Sequence, residues 1–418
     1  MADNQFARRL RELRAAKATK LGRRKVPQRE VAAQLNISAG AYASWESGRT
    51  KPDVDMLPRV ADYFEVSVDF LLGHAAGLLA NTEKVTAGTG LVWSLRRAAQ
   101  AEDEQTGLEV WQRLVQDESP EAVAAGLKIP VPEVQRYLLD VIDDIISIDQ
   151  IPQDVELAEQ VRQAFGLRDV VVVPTAPSSP AFLKYIMLGE AARVYFKSHV
   201  YEGMKVGIAG GYSVSRMIYA LRRGECQNID VYPLAISPVV ESIALDTNSL
   251  VGTLSYRHYG YNVRGYCLQY ASLEDLKEAK DTQKYALTQR ILAKAKSVDI
   301  AFMGLGTFKR RLVPIYWLGD LLESRGLNLE TVRERGTVGD ILYHFVDQNG
   351  QPVASEINDV ICSIELEDLR EMVVQWGVPV VVMASEEKKA DIARAAIKGG
   401  YANVFIINDE LARAMLAC

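Results

Sequence analysis

Two glycine-rich stretches in the second half of this 418-residue chain carry residue types that can hold an anion. In Val206-Gly207-Ile208-Ala209-Gly210-Gly211-Tyr212-Ser213-Val214, a short apolar run passes into glycines and then into a helical pattern. Backbone N–H groups and a helix N-terminus then converge on one point, and Ser213 adds a hydroxyl donor. Glycine turns also arise for steric reasons alone, so this stretch by itself fits either reading. Met303-Gly304-Leu305-Gly306-Thr307 repeats the arrangement and runs into Lys309, Arg310 and Arg311. Gly210, Gly211, Tyr212, Ser213, Gly304 and Gly306 are the candidate contacts of an anionic or polar ligand. A different chemistry is offered by residues 28–52, QREVAAQLNISAGAYASWESGRTKP, where two short helical patterns meet at a polar turn and end in a basic loop.

Elements must exist to hold these residues. In the 28–52 stretch, Val31, Ala32 and Leu35 share one helical face, and Asn36-Ile37-Ser38 breaks the helix. Ser38 can cap the next helix with its hydroxyl. That helix turns Tyr42 and Trp45 inward and leaves Ala39, Gly40, Ala41 and Ser44 outward. A helix over about residues 6–18 places Phe6, Leu10 and Leu13 on one face, with Arg8, Arg9, Arg11 and Arg14 largely on others. Leu57, Val60, Ala61 and Phe64 close the small core. The segment KLGRRK at 20–25 makes a long loop that either follows a DNA backbone or only solubilises the domain.

The glycine stretches belong to a different texture. From about residue 153 short apolar runs alternate with helical patterns. Strands are expected at 169–174, 205–209, 229–236, 297–305, 360–365, 379–384 and 403–407. Helices are expected at 182–199, 213–221, 285–296, 368–375 and 387–398. Such alternation over about 260 residues argues for an open α/β sheet covered on both faces. Both glycine stretches should then open on its carboxyl edge, where such folds place ligands. Between the two regions, LLANTEKVTAGTG reads as a linker. Trp93, Leu95, Trp111, Leu114 and Val115 suggest helices around the polar AEDEQTG.

Composition bounds the rest. The length calls for two or three domains. Hydrophobic residues make up 48% and charged residues 24%, ordinary values for soluble protein. No apolar run reaches membrane-spanning length, and the first residues are too polar for a signal peptide, so a cytoplasmic protein without a membrane partner is expected. The four cysteines and four histidines are scattered, so reduced thiols and no metal site are expected, and no cofactor. Residues 1–60 hold 13 Lys plus Arg against 6 Asp plus Glu, a charge of +7 within a chain of net charge −6. By subtraction the remainder carries −13. A basic head on an acidic body suits a phosphate-binding module on a larger soluble domain.

The stretch AAQLNISAGAYASWESGRTKPDVDMLPRVADYFEVSVDFLLG resembles a Cro- and phage-repressor-type (XRE) helix-turn-helix domain. Its most specific marks are Trp45-Glu46-x-Gly48-x-x-Lys51-Pro52 and residues 66–73. This implies double-stranded operator DNA as partner, with Gln28, Arg49 and Lys51 on phosphates and Ser38, Ala39, Gly40, Ala41 and Ser44 facing base edges. Four later segments, VGIAGGYSVSRMIYAL, VDIAFMGLGTF, RGTVGDILYHFVDQNGQPV and EEKKADIARAAIKGGYANVFIINDELARAML, resemble the effector domain of SorC-type bacterial transcription regulators. That family resembles sugar-phosphate isomerases and deaminases in fold, and its members bind phosphorylated sugars to tune operator affinity. The resemblance implies that Gly211, Tyr212 and Ser213 hold a phosphate, Asp340 a sugar hydroxyl and Lys389 a charged ligand oxygen.

This chain departs from the family pattern at three places. Ser385-Glu386 stands where the family often has Gly-Gly, and an acidic Glu386 is unfavourable beside a phosphate unless it points away or pairs with Lys388. Residues 234–238 lack a common glycine pair, and Val360 replaces a frequent arginine. These departures leave a sugar phosphate and an unphosphorylated sugar or polyol both open as effector. The expected architecture is multidomain. An all-α helix-turn-helix domain occupies 1–75, a helical linker with a second helix-turn-helix-like segment 76–150, and a Rossmann-like α/β sugar-binding domain 151–418.

In the second segment, residues 120–148, Ala124, Leu127, Ile129, Val134 and Leu138 fall at buried positions. Gln135 and Arg136 could touch DNA, whereas Pro130, Pro132, Asp140, Asp143 and Asp144 argue for a connector or dimerisation element. The whole reads as an operator-binding homo-oligomer, dimer or tetramer, controlled by a sugar or phosphorylated sugar. An isomerase-like enzyme using Lys389 or Asp340, and a constitutive DNA-binding protein, are the alternatives. No acid–base pair with histidine is evident for the first.

Overall fold

The structure, a computed structural model, describes residues 25–53, 56–64, 85–86, 91–95, 101–142, 146–177, 179–236, 243–268, 283–307, 326–354 and 361–417. It also describes positions 6, 7, 10, 11, 13, 14, 17, 99, 322, 323 and 356. The expected loop at 20–24, the closing 66–73 segment, most of the linker, Ser237, Pro238, Val360, Asp143, Asp144 and the Lys309-Arg310-Arg311 run lie outside the described residues. The chain divides into two compact units, one of 1–85, 93–110 and 136–149, the other of 86–92, 111–135 and 150–418.

In the first unit the described positions between 6 and 17 are helical and precede helices α1 (Gln28–Gln34), α2 (Ala39–Ser47) and α3 (Leu57–Phe64). Phe6, Leu10, Leu13, Val31, Ala32, Leu35, Tyr42, Trp45, Leu57, Val60 and Phe64 form one buried cluster, as their spacing predicts, and Val26 joins it. Ser38 caps α2 by accepting from the Ala41 N–H at 3.1 Å. Asn36 and Gly48 take left-handed backbone at the two bends, a conformation these two residue types tolerate best.

Around the second helical segment the sequence reading needs correction. Trp93 and Leu95 lie on a strand, β2 (Val92–Leu95), in a three-stranded sheet of order β1 (Val85–Thr86), β2, β3 (Ile146–Gln150). The polar AEDEQTG, expected to lie between helices, itself opens α4 (Glu102–Leu114), where Glu102, Asp103 and Glu104 sit at the positive end of the helix dipole. Helices α5 (Pro120–Leu127), capped by Ser119, and α6 (Val131–Ile142) follow. Ala124, Val134 and Leu138 are buried there, but Leu127 and Ile129 are only half-buried. Pro132 is accommodated because the first turn of a helix does not need its N–H. Arg136 turns to Asp140 at 3.2 Å, along its own helix.

The second unit is built on a seven-stranded parallel sheet of order β4-β15-β14-β9-β5-β6-β8. Its members are β4 (Asp169–Val173), β5 (Lys205–Ile208), β6 (Asp230–Pro233), β8 (Arg264–Gly265), β9 (Ile300–Met303), β14 (Val380–Ala384) and β15 (Val404–Asn408). The inner strands β9, β14 and β15 are buried at every residue, which is why they read as unbroken apolar runs with no alternation. Chain order runs outward from β5 through β6 to β8. It then returns to the other side of β5 with β9 and proceeds through β14 to β15. The direction of winding therefore reverses between β5 and β9, which pair directly at Gly207–Ala301 and Ile208–Phe302.

Two expected strands differ. Residues 229–236 divide into β6 and β7 (Ala235–Ile236), and β7 leaves the sheet to pair antiparallel with β13 (Cys362–Ser363). The expected 360–365 strand is thus a two-residue partner outside the main sheet. The 336–347 segment forms an antiparallel hairpin, β11 (Thr337–Ile341) with β12 (His344–Asp347), joined by β10 (Gly306–Thr307).

Helix α7 (Val155–Phe165) precedes β4, and helix α8 (Ala181–His199) is buried at nearly every position from Leu183 to Phe196, including Lys184, Glu190 and Arg193. Those charges are compensated: Lys184 pairs with Glu410 at 2.7 Å, and Arg193 with Glu190 at 2.7 Å and Glu225 at 2.8 Å. Gly189 lets α9 (Tyr212–Ala220) cross α8 closely, since a Cβ there would lie 2.7 Å from the Arg216 carbonyl carbon. Phe405, fully buried on β15, belongs to the main core. Phe405→Ala should lower the stability of this unit by about 3–5 kcal/mol, read as a fall in its urea midpoint with unchanged slope.

Candidate functional site

The outward face of α2 is laid out as the spacing predicts: Ser38, Ala39 and Gly40 are exposed, and Ala41 and Ser44 are half-buried. Arg49 and Lys51 stand exposed on the loop that follows. Ser44 accepts a hydrogen bond from the Thr50 hydroxyl at 2.9 Å, which fixes that exposed threonine beside the face. Thr50 is a residue that sequence reasoning missed.

Beneath this face lies a buried charge. Glu46 is 4% exposed and receives the Arg14 guanidinium in two bonds, Nε to Oε1 at 2.6 Å and Nη2 to Oε2 at 2.8 Å. Arg14 also donates to the Val26 carbonyl at 2.9 Å. Arg14, expected largely away from the Phe6, Leu10 and Leu13 face, is therefore turned inward against Glu46. Gln28, expected on a DNA phosphate, donates its side-chain amide to Glu46 Oε2 at 2.6 Å and thereby helps orient the carboxylate. Burial pushes the Glu46 carboxyl up, and the bonds from Arg14 and Gln28 outweigh it, so its pKa ends below the ordinary value. Burial first, and the Glu46 charge next, push the Tyr42 phenol far up.

In the α/β unit, the glycine stretches leave the neighbouring strands β5 and β9 at the reversal point. Ala209 N–H still donates to the Phe302 carbonyl at 2.9 Å. Gly211 then adopts φ 109°, ψ 166°, a conformation essentially reserved for glycine, and starts α9. Its N–H donates to the Leu245 carbonyl at 2.9 Å and so does not face a ligand, contrary to its expected role. Residues 245–247 cross closely enough that a Cβ on Gly210 would lie 2.8 Å from the Leu245 oxygen. The anion-holding capacity falls instead to the N–H groups of Tyr212, Ser213 and Val214. These precede Ser215, the first donor back into the turn. Ser213 is buried within that turn.

The second glycine stretch meets the hairpin. Gly306 pairs with Asp340 across β10 and β11, and a Cβ on Gly306 would collide with the Asp340 carboxylate. Desolvation raises the Asp340 pKa above the usual carboxylate value, against the pull of the Tyr343 N–H, which donates to it at 3.3 Å, and of the Lys389 charge. Thr307 Oγ1 donates to the Lys388 carbonyl at 3.3 Å, tying this strand to the turn at 385–389.

Tyr185 on α8, which sequence reasoning did not single out, joins these parts. Its hydroxyl donates to Glu386 Oε1 at 3.2 Å, its ring meets Tyr212 edge-on at 5.0 Å, and Lys389 Nζ lies 5.9 Å from its ring centre. Leu342 (φ 50°), Tyr343 (φ 71°) and Glu386 (φ 80°) hold left-handed backbone around this cluster. Each costs on the order of 1–2 kcal/mol for a residue with a Cβ. A cavity of about 430 Å³ lies elsewhere, lined by His344, Gln351, Glu365, Arg370 and Tyr401, and holds none of the expected site residues. Among the described residues no group of His, Cys, Asp and Glu is placed to hold a metal ion, and no helix is long and apolar enough to cross a membrane.

Together these features define a class: an α/β ligand-binding domain carried with a helix-turn-helix head. Residues 149–417 match the family described as "Putative sugar-binding domain", and residues 18–71 match a helix-turn-helix family. The chain belongs to that sugar-binding family. It is 23% identical over 323 residues to a protein of Escherichia coli K12 called "Uncharacterized transcriptional regulator YjhU", covering 74% of this chain and 93% of that one. It is also 23% identical over 326 residues to the deoxyribonucleoside regulator of Bacillus subtilis, covering 75% and 98%. The full-length sorbitol operon regulator SorC from Klebsiella pneumoniae shares the fold at a TM-score of 0.53 and 20% identity, over 76% of this chain and 100% of that one.

The buried Glu46 makes the head sensitive to acid. Its folded pKa lies below the unfolded one, so its contribution is full above about pH 4.3 and is lost as the pH falls through the folded value. Arg14→Ala leaves that carboxylate unpaired and should cost about 3–5 kcal/mol, measured by hydrogen exchange of the α1 and α2 amides at pH 7. Lowering the pH should shrink the difference between the two proteins.

Proposed function

We propose that this chain is an effector-controlled transcriptional regulator. The helix-turn-helix head binds double-stranded operator DNA, and the crevice where the sheet winding reverses binds the effector. One observation carries this reading. A single chain joins an exposed, capped recognition-type helix to a carboxyl-edge crevice that gathers two glycine stretches, Asp340, Lys389 and Tyr185. The relatives it resembles over most of its length are named as transcriptional regulators, in support of a sensor in place of an enzyme.

In this reading the head occupies 1–75, the helical connector 76–150 and the sensing domain 151–418. Arg49 and Lys51 bind phosphates and Gln28 braces α2 through Glu46, while Ser38, Ala39, Gly40, Ala41 and Ser44 approach base edges. The short side chains of Ala39, Gly40 and Ala41 permit a close backbone approach, so discrimination rests on Ser44, DNA shape and the spacing of paired heads. In a cytoplasmic dimer or tetramer, heads would span half-sites about one helical turn apart or a multiple of it. A sugar-type effector controls this only by binding one arrangement of the heads better than another. Its contacts are Gly210, Tyr212, Ser213, Gly304, Gly306, Asp340 and Lys389, while Gly211 only shapes the turn into α9.

Deleting residues 1–75 should abolish sequence-specific operator binding in a mobility-shift assay. Full retention would make the α5–α6 segment the reader. Ser213→Ala and Lys389→Ala should each weaken the effector response by about tenfold while operator affinity without effector stays unchanged. Turnover of sugar phosphates by the purified protein would overturn the sensor reading.

A further inference from the structure

The turn after β14 restricts which effector can bind, an inference that rests on the sensing reading above. Glu386 is the residue at issue. Its left-handed backbone (φ 80°, ψ 134°) would suit glycine without strain, so the turn alone gives no reason for a carboxylate there. The side chain is nevertheless held in place. Its hydrogen bond from Tyr185 aims the carboxylate along α8, and the Glu386 N–H donates to Asn408 Oδ1, on a fully buried asparagine, at 3.3 Å.

Tyr185 is in ring contact with Tyr212, the first residue of α9, so one hydrogen bond and one ring contact link the Glu386 carboxylate to the residue that opens this helix. A phosphate dianion bound at that N-terminus would share the crevice with two carboxyl groups, Glu386 and Asp340, against the Lys389 ammonium. Like charges so placed repel, and the low dielectric of a crevice strengthens the repulsion. A ligand with hydroxyl groups meets the opposite situation. Its O–H groups donate to Glu386 and Asp340, and its oxygens accept from the Tyr212 and Ser213 N–H groups.

Two hydroxyls add to this inventory. Ser385 is fully buried next to Glu386, and its Oγ has no hydrogen-bond partner among the described residues; the buried Tyr212 hydroxyl has none either. Hydroxyls that can both donate and accept suit a chain of ligand hydroxyls. They supply no positive charge for a phosphate. We propose that the site takes an unphosphorylated polyhydroxylated effector, a free sugar or an open-chain polyol, and that the Glu386 carboxylate rejects the phosphate esters of the same compounds.

Calorimetric titration of the full-length protein and of Glu386→Gly and Glu386→Gln tests this. The probes are free pentoses, hexoses and hexitols, the monophosphate of each, and inorganic phosphate. Wild type should bind at least one free compound and its monophosphate at least tenfold more weakly, with no response to inorganic phosphate. Both variants should shrink that ratio, Glu386→Gly the more. Because glycine accepts the left-handed backbone, the unliganded Glu386→Gly protein should melt no lower than wild type, which separates lost discrimination from lost fold. A monophosphate bound by wild type as tightly as its parent, or a ratio unchanged in both variants, overturns the inference and leaves the sensing reading standing. If folded wild type and both variants bind none of the compounds, the sensing reading falls and the inference with it.

Discussion

The pairing of β5 with β9 is the constraint on which the α/β unit depends. These two strands are far apart in sequence, and their register sets Gly207 beside Ala301 and Ile208 beside Phe302. Parallel neighbours end on the same edge, so both glycine stretches leave the sheet side by side. The winding reverses at this pair, the place where open sheets of this kind form a ligand crevice at the carboxyl edge. Every other part of the site reaches that crevice from a different piece of chain: β11 brings Asp340, the turn after β14 brings Glu386 and Lys389, and α8 brings Tyr185.

Strain accumulates in this crevice. Leu342, Tyr343 and Glu386 are poor choices for left-handed backbone, and all three border the same cluster. Their positions are held by contacts from outside each turn. Asp340 takes the Tyr343 N–H, and Asn408 and Tyr185 hold Glu386. Packing supplies the energy for this. The inner strands are buried along their whole length, and the core that includes Val382, Phe405 and Ile407 can carry a few unfavourable residues at its rim.

The helix-turn-helix head solves a different problem with the same physics. Its core is small, and a buried carboxylate in it would be costly without partners. Arg14 meets Glu46 with two bonds and Gln28 adds a third, so three helices are tied together at one point under the exposed face of α2. The face itself can then consist of small residues, because the scaffold that presents it is fixed from below.

Local pattern carried most of the architecture. Apolar runs marked the buried parallel strands, and the helical spacing of Val31, Tyr42 and Trp45 marked the core of the head. The two glycine stretches marked the strand ends that open on the site. Long-range contacts decided the rest. Trp93 and Leu95 look alike in a helix or a strand, and only pairing partners distant in sequence made them a strand. Residues 229–236 read as one strand until the pairing of Ala235 and Ile236 with residues 362–363 divided it. Gly211 offered an N–H that the crossing segment at Leu245 consumed. Tyr185 and Arg14 carried no local sign of their roles, because a tyrosine in an apolar helix and an arginine in a basic one are ordinary. The sequence by itself determined most of the buried strands and amphipathic helices and where backbone is left without side chains, since those follow from periodicity and from glycine. Only the tertiary structure decided which side chains face one another across the crevice, because hydrogen bonds such as Tyr185 to Glu386 join residues that no sequence period relates.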